Sequence, residues 1–156
     1  MRRKDREVTE FDALLDIVRR CDVCRLAIPN EPLPYLVPLN FGEEVVGNTL
    51  YLYFHSAQEG TKLDLLRQHP QVTFEMDCGH QLVLNDEKMS CTMAYESIIG
   101  WGTVDFCANQ EKVHGLDIIM RHYHAEDFPY SQAPIPQTTV LRLKVEAMTG
   151  KHRRAK

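Results

Sequence analysis

A mainly β, antiparallel barrel with flanking helices is the architecture this sequence predicts, and three observations predict it. Short runs of alternating or apolar β-formers recur about six times along the chain. Most neighbouring runs are joined by turns too short for the crossover that parallel strands require. Helical spacing is confined to three stretches, two flanking the strands and one short crossover between them.

Thr9-Glu10-Phe11-Asp12 opens the first helix with a capping-box-like start, Asp standing where Glu or Gln is usual. Phe11, Leu14, Leu15 and Val18 then recur at helical spacing, and the helix is expected to end near Cys21. Cys24 to Ile28 reads as a strand, and Pro29 to Pro32 as a turn. A long hairpin follows, with Tyr35 to Val46 as one arm, Gly47-Asn48 as the turn and Thr49 to His55 as the second arm. Pro38 has no N–H to give a ladder, so it marks an edge or a bulge in the first arm. A short helix from Lys62 to His69 stops at Pro70, and Val72 to Asp77 alternates as a strand. Cys78 to Met89 is polar and irregular and reads as a loop. Tyr95 to Cys107 has strand character, with Gly100 and Gly102 suggesting a bend or a close approach. Asn109 caps another amphipathic helix with Val113, Leu116, Met120 and Tyr123 on one stripe. A loop from Glu126 to Gln137 precedes a closing strand, Val140 to Val145.

The 156 residues fit one domain, 1–156, able to bury roughly two thirds of the unfolded surface. The formal net charge of −4 argues against a nucleic-acid partner, which usually demands a basic excess. Basic residues do gather at the ends, about 1–6 and 151–156, and read as solvated tails. No apolar run reaches the roughly 18 residues that span a bilayer, and the charged N-terminus lacks a signal-peptide core. Five scattered cysteines do not suggest a disulfide framework, so a cytoplasmic protein with reduced thiols and no membrane partner is expected.

The segment His55-Ser56-Ala57-Gln58-Glu59-Gly60-Thr61-Lys62 carries the strongest chemical signal. A strand that empties through small and polar residues into a helix start leaves free N–H groups at the positive end of the helix dipole. His55, Ser56 and Thr61 add side-chain donors and Lys62 a full charge, which makes a phosphate cradle. Its bland counterpart is an ordinary strand-to-helix turn. No G-x-x-x-x-G-K-[ST] loop is present, and Gly100-Trp101-Gly102 is only a fragment of a dinucleotide fingerprint lying inside a strand.

Three motifs come in order: Pro34-Tyr35-Leu36-Val37-Pro38-Leu39-Asn40-Phe41; Tyr53-Phe54-His55-Ser56-Ala57 with Gly60 and Lys62-Leu63-Asp64; and Ser97-Ile98-Ile99-Gly100-Trp101-Gly102. Together they resemble the pyridoxamine 5′-phosphate oxidase-like flavoproteins, in particular the branch related to nitroimidazole-resistance proteins, over about Arg2 to Lys151. The resemblance implies an FMN-binding split β-barrel, antiparallel and Greek-key-like, working as a homodimer with two flavins at the interface. It places Val37, Pro38, Leu39 and Asn40 along the isoalloxazine ring, His55, Ser56 and Lys62 near the phosphate, and Tyr95 and Ser97 on the walls. His55 is also the candidate catalytic residue, because the matching histidine of some relatives is linked to their active centre. Physically, a flat amphipathic ring wants an apolar wall with backbone groups at its polar edge, which the first hairpin arm supplies.

Other constellations are weaker. Cys21 and Cys24 have the spacing of half a zinc site, but no second pair follows, and packing is the better account. His114, Asp117, His122 and His124 read as a solvated helix face rather than a metal cluster, so no metal is expected. Trp101 reads as core or dimer packing ahead of substrate stacking. Asp127-Phe128-Pro129-Tyr130 reads equally as a cover for the ligand or as ordinary packing.

Three functions compete. The first is an FMN-dependent oxidoreductase passing electrons from reduced flavin to a small, for example nitroaromatic, acceptor, with NAD(P)H as the electron donor. The second is a non-catalytic dimeric protein that holds a flavin or another phosphorylated cofactor. The third is a scaffold whose cradle takes only adventitious anions.

Overall fold

The computed structural model describes residues 3–124 and 128–153. Eight strands form one antiparallel sheet: β1 (Glu7–Val8), β2 (Cys24–Ile28), β3 (Tyr35–Leu39), β4 (Phe41–Val46), β5 (Thr49–Ser56), β6 (Gln71–Asn85), β7 (Ser90–Phe106) and β8 (Thr139–Arg153). Three α-helices accompany them, α1 (Phe11–Arg20), α2 (Thr61–Gln68) and α3 (Gln110–Tyr123). The order across the sheet is β3-β2-β6-β7-β8-β5-β4, with β1 added to β8. Consecutive strands β3 and β4 thus sit at opposite ends of the path, joined only through Asn40. The sheet curls to bring them together, which makes the mainly β barrel with flanking helices.

Alternation sets what the barrel encloses. Leu50, Leu52, Phe54, Phe74, Met76, Ile98, Leu141 and Leu143 point inward and are buried. Leu14, Leu15, Ile17 and Val18 of α1 and Leu63 and Leu66 of α2 close the same core. Each such side chain stabilises the fold by about 1.5–3 kcal/mol through lost apolar hydration. A second, smaller cluster packs α3 on the outside of β5 and β8 through Tyr53, Ile118, Ile119 and Val140. The close approach needs Gly42, where a Cβ would stand 2.5 Å from the Ile118 carbonyl oxygen.

Several expectations are corrected. Tyr35 to Val46 is not one arm: the chain breaks at Asn40, β3 pairs with β2, and only β4 pairs with β5. Side chains take over from the ladder at the break, where the Phe41 N–H donates to the Tyr123 hydroxyl at 3.1 Å. Pro38 does lie on an edge strand, opposite Arg25.

The expected loop from Cys78 to Met89 is mostly strand. β6 runs on to Asn85 and pairs with β7 past a register shift between Cys78 and Gln81, where Gly79 takes φ +67°. The shift interrupts the period-2 pattern, and Leu82, Leu84 and Met93 beyond it are exposed, so no buried face betrays the strand.

The basic end is less tail-like than expected. Lys151 to Arg153 continue β8, and Glu7 opposes Lys151 in β1. Arg3 precedes a short 3-10 turn, Lys4–Arg6, and residues 1–2 and 154–156 lie outside the described residues. The helix caps also differ. Glu10, not Thr9, is the N-cap of α1, and neither it nor Asn109 makes a side-chain cap bond. In α3 the buried residues are Gly115, Ile118 and Ile119, one position round from the expected stripe.

Candidate functional site: a phosphate cradle at the start of α2

β5 delivers the cradle. Leu52 and Phe54 alternate inward, so Ser56 also turns in and is 7% exposed, while His55 turns out and is exposed. The chain then passes through Gly60, at φ +136°, into α2. Such a φ is open to glycine at little cost, and it aims the first turn of the helix. Gly60 is the N-cap and carries no side chain, so nothing caps α2 from within. Its carbonyl accepts from the Leu63 and Asp64 N–H groups, which leaves the Thr61 and Lys62 N–H groups without an acceptor among the described residues.

The side chains around this end are equally unused. The Ser56 hydroxyl is buried with no hydrogen-bond partner. Leaving a hydroxyl so costs on the order of 1–3 kcal/mol, a cost a bound acceptor removes. No ion pair is recorded for Lys62, and no hydrogen bond for His55, among the described residues. Gln58, by contrast, donates to the Pro136 carbonyl at 2.8 Å and pins the loop to the 3-10 turn Ile135–Gln137. A fixed loop, two free N–H groups, a buried orphan hydroxyl and an unpaired ammonium together suit a phosphate oxygen cluster.

The other expected residues divide by strand parity. Val37 and Leu39 pack against the barrel core, and Leu36 and Pro38 face outward. Asn40 is already engaged: its amide donates to the Tyr123 hydroxyl at 3.2 Å and to the Asp22 carbonyl at 3.4 Å. Tyr95 and Ser97 lie on the outward face of β7, with Ile99 and Trp101. That face continues through Glu75 and Asp77 of β6, both bonded to Arg25 of β2. Hydrogen bonding to Lys151, and further to Arg6, draws the Tyr95 phenol below its ordinary pKa. Trp101 is 50% exposed on this face, so it is not a core residue of the single chain.

The histidine-rich helix is a solvated face in part: His114 and His124 are exposed, whereas the His122 side chain is buried. Among the described residues no group of three metal-ligating side chains converges. Instead β4 offers two glutamates that α3 satisfies. His122 places Nδ1 2.6 Å from Glu43 Oε2 and Nε2 2.7 Å from the Cys21 carbonyl, with its side chain 4% exposed. A carboxylate and a carbonyl on the two ring nitrogens favour the imidazolium, which carries a proton on each. Burial by itself would lower the His122 pKa, but its bonds to Glu43 and to Cys21 raise it. Burial likewise opposes ionisation of Glu43, and the contacts with His122 and Arg19 hold it below its ordinary value. Glu44 accepts from the Tyr53 hydroxyl at 2.9 Å and lies 2.9 Å from His114 Nε2. Burial, then Glu44, pushes the Tyr53 phenol up. Asp117 accepts from the Tyr130 hydroxyl at 2.8 Å, while Asp127 lies outside the described residues.

Sequence reading missed this network, although Glu43-Glu44 in a strand and two histidines on one helix were visible as its signal. The cysteines are free, with Cys21 and Cys24 buried and their thiol pKa values pushed up by burial, which makes them poor nucleophiles.

The comparisons agree with one another. A protein-family model described as pyridoxamine 5′-phosphate oxidase matches residues 10–152. A crystal structure from Bacteroides thetaiotaomicron VPI-5482, described as a candidate 5-nitroimidazole antibiotic resistance protein, is 36% identical. It superposes with a TM-score of 0.81 over 94% of this chain and 86% of its own. An FAD and heme binding protein from Mycobacterium smegmatis shares the fold at 18% identity, with a TM-score of 0.78 over 96% of this chain and 74% of its own. An FAD-binding protein from Mesorhizobium loti does so at 18% identity and a TM-score of 0.67, over 96% and 98%. The search of curated proteins returns no match.

Proposed function

The chain belongs to the pyridoxamine 5′-phosphate oxidase-like family, in the branch related to nitroimidazole-resistance proteins, and from that premise we propose that it binds a flavin, FMN, through the cradle at the start of α2. One observation carries the reading: the buried Ser56 hydroxyl, without a partner among the described residues, follows His55 and precedes by five residues a helix start whose Thr61 and Lys62 N–H groups have no acceptor among them either. Ser56, the Thr61 and Lys62 N–H groups and the Lys62 ammonium would hold the phosphate. Pro38 and the backbone of β3, with Tyr95 and Ser97 on β7, offer the surfaces for the ring, and His55 stands exposed at the mouth of the cradle. A single cradle matches the one phosphate of FMN.

The same reading includes a homodimer. Leu36 on β3, Ile99 and Trp101 on β7, and Leu82, Leu84 and Met93 on the β6–β7 hairpin are exposed apolar side chains. Exposed apolar groups in this number suit cover by a partner, and a second copy would wall in a ring lying on β3. Flavin, when bound, supplies electron transfer to a small acceptor such as a nitroaromatic, and the chain supplies position and electrostatics. NAD(P)H is the electron donor in this reading. No helix among the described residues is long and apolar enough to cross a membrane.

The test is direct. The purified protein should be yellow and release FMN on denaturation, and NADH or NADPH should bleach it until a nitroaromatic is added. A colourless protein that takes up no added FMN would overturn the reading. Colour without bleaching by either reductant would leave flavin storage in place of turnover.

A further inference from the structure

Reducing a nitroaromatic consumes protons as well as electrons. A nitro group that becomes nitroso plus water takes up two electrons and two protons, and reduced flavin, as its anion, brings both electrons but one proton. The second proton has to come from a group beside the ring. His55 stands at the phosphate end, so the ring end needs a donor of its own.

The sheet face proposed for the ring carries one. On the outward side of the barrel Arg25 stands opposite Pro38 of β3 and Glu75 of β6, and Asp77 stands opposite Ser97 of β7. Arg25 Nη1 donates to both carboxylates, at 3.1 Å to Glu75 Oε2 and at 2.5 Å to Asp77 Oδ1. The other Asp77 oxygen, Oδ2, lies 2.9 Å from His80 Nε2. Arg25, Asp77 and His80 thus form a bonded chain on the face that Pro38 and Ser97 share.

Regular alternation would forbid the last contact. Residues 77 and 80 are an odd number apart, so in an unbroken strand their side chains point to opposite faces. Between Cys78 and Gln81, however, β6 advances one residue more than β7 does from Glu96 to Ala94. The extra residue is a bulge, with Gly79 at φ +67°, and it returns His80 to the side of Asp77. Bulges re-aim side chains in this way beside active sites.

The imidazole is also open to exchange. Its side chain is 51% exposed, and Nδ1 has no partner among the described residues. With Nε2–H held by Asp77, Nδ1 is the nitrogen left to face a ligand.

We propose that His80 is the proton donor at the ring end of this site. Its Nδ1–H passes the second proton to a nitro oxygen, the N–O bond breaks as that oxygen leaves as water with both protons, and the ring regains its own from solvent. Asp77 positions the imidazole and Arg25 positions Asp77. The proposal rests on the flavin reading and adds a named acid to it.

FMN-loaded protein, reduced anaerobically with one equivalent of dithionite and mixed with p-dinitrobenzene, tests it. His80→Ala should slow reoxidation about a hundredfold, and added imidazole should restore most of the rate. FMN affinity should stay close to wild type. A second readout needs no turnover: the His80 ring resonances, assigned by their loss in His80→Ala, should move when FMN binds. Asp77→Asn should abolish that movement with FMN still bound. Unchanged reoxidation in His80→Ala, a slowed rate that imidazole does not rescue, or His80 resonances blind to FMN would overturn the assignment and leave flavin binding intact. A protein that takes up no FMN would instead sink the flavin reading, and this assignment with it.

Discussion

The two helix ends that meet the barrel treat their polar groups in opposite ways. At the C-terminal end of α3, the polar side chains are spent on the fold: His122 on Glu43 and Cys21, and Tyr123 on Asp22 and Asn40. At the start of α2, the Ser56 hydroxyl and the Thr61 and Lys62 N–H groups have no partner among the described residues. Both regions are rich in donors, so composition does not separate them. Partnering does: the α3 end holds the fold together, and the α2 end is the one we propose for the phosphate.

The largest break in that contrast should come from His122→Ala. It leaves Glu43 buried beside an empty space, and the expected loss is about 3 kcal/mol of unfolding free energy, read by urea denaturation. FMN affinity of the surviving folded protein should stay near wild type. Lys62→Ala should do the reverse, weakening FMN about tenfold, or about 1.4 kcal/mol, with little change in stability.

A smaller effect follows from the protons. The raised His122 pKa contributes stability that is full below the unfolded value near 6.5 and is lost as pH rises through the folded value. The lowered Glu43 pKa contributes above its unfolded value near 4.5 and is lost as pH falls through the folded one. Glu43 of β4, Asp22, and Tyr123 of the same helix face the His122 ring, and Arg19 of α1 pairs with the Glu43 carboxylate. The melting temperature should therefore decline as pH rises above about 6.5, and His122→Gln should flatten that decline. The smallest change is expected from Ser56→Ala. Removing an orphan hydroxyl should leave stability within about 0.5 kcal/mol while weakening FMN a few-fold, as fluorescence quenching would show.

Much of this was legible in the sequence, because its signals are local. The strand-to-helix passage from His55 to Lys62 is continuous in the chain, and α1, α2 and the Gly47-Asn48 turn announce themselves through spacing and turn residues. What stayed hidden depends on residues far apart. Asn40 breaks the first hairpin arm because Tyr123 and Asp22 reach it from other elements. Gly79 displaces the pattern of β6 by a bulge, and the strand beyond it has no buried face to reveal it. The His122–Glu43 pair exists only once α3 is packed on β4.

Comparing FMN with riboflavin, the same ring without the phosphate, probes the cradle most directly. Wild-type protein should bind FMN at least a hundredfold more tightly, about 2.7 kcal/mol, and Lys62→Ala should cut that preference about tenfold. Equal affinity for the two flavins in wild type would show that the start of α2 grips no phosphate.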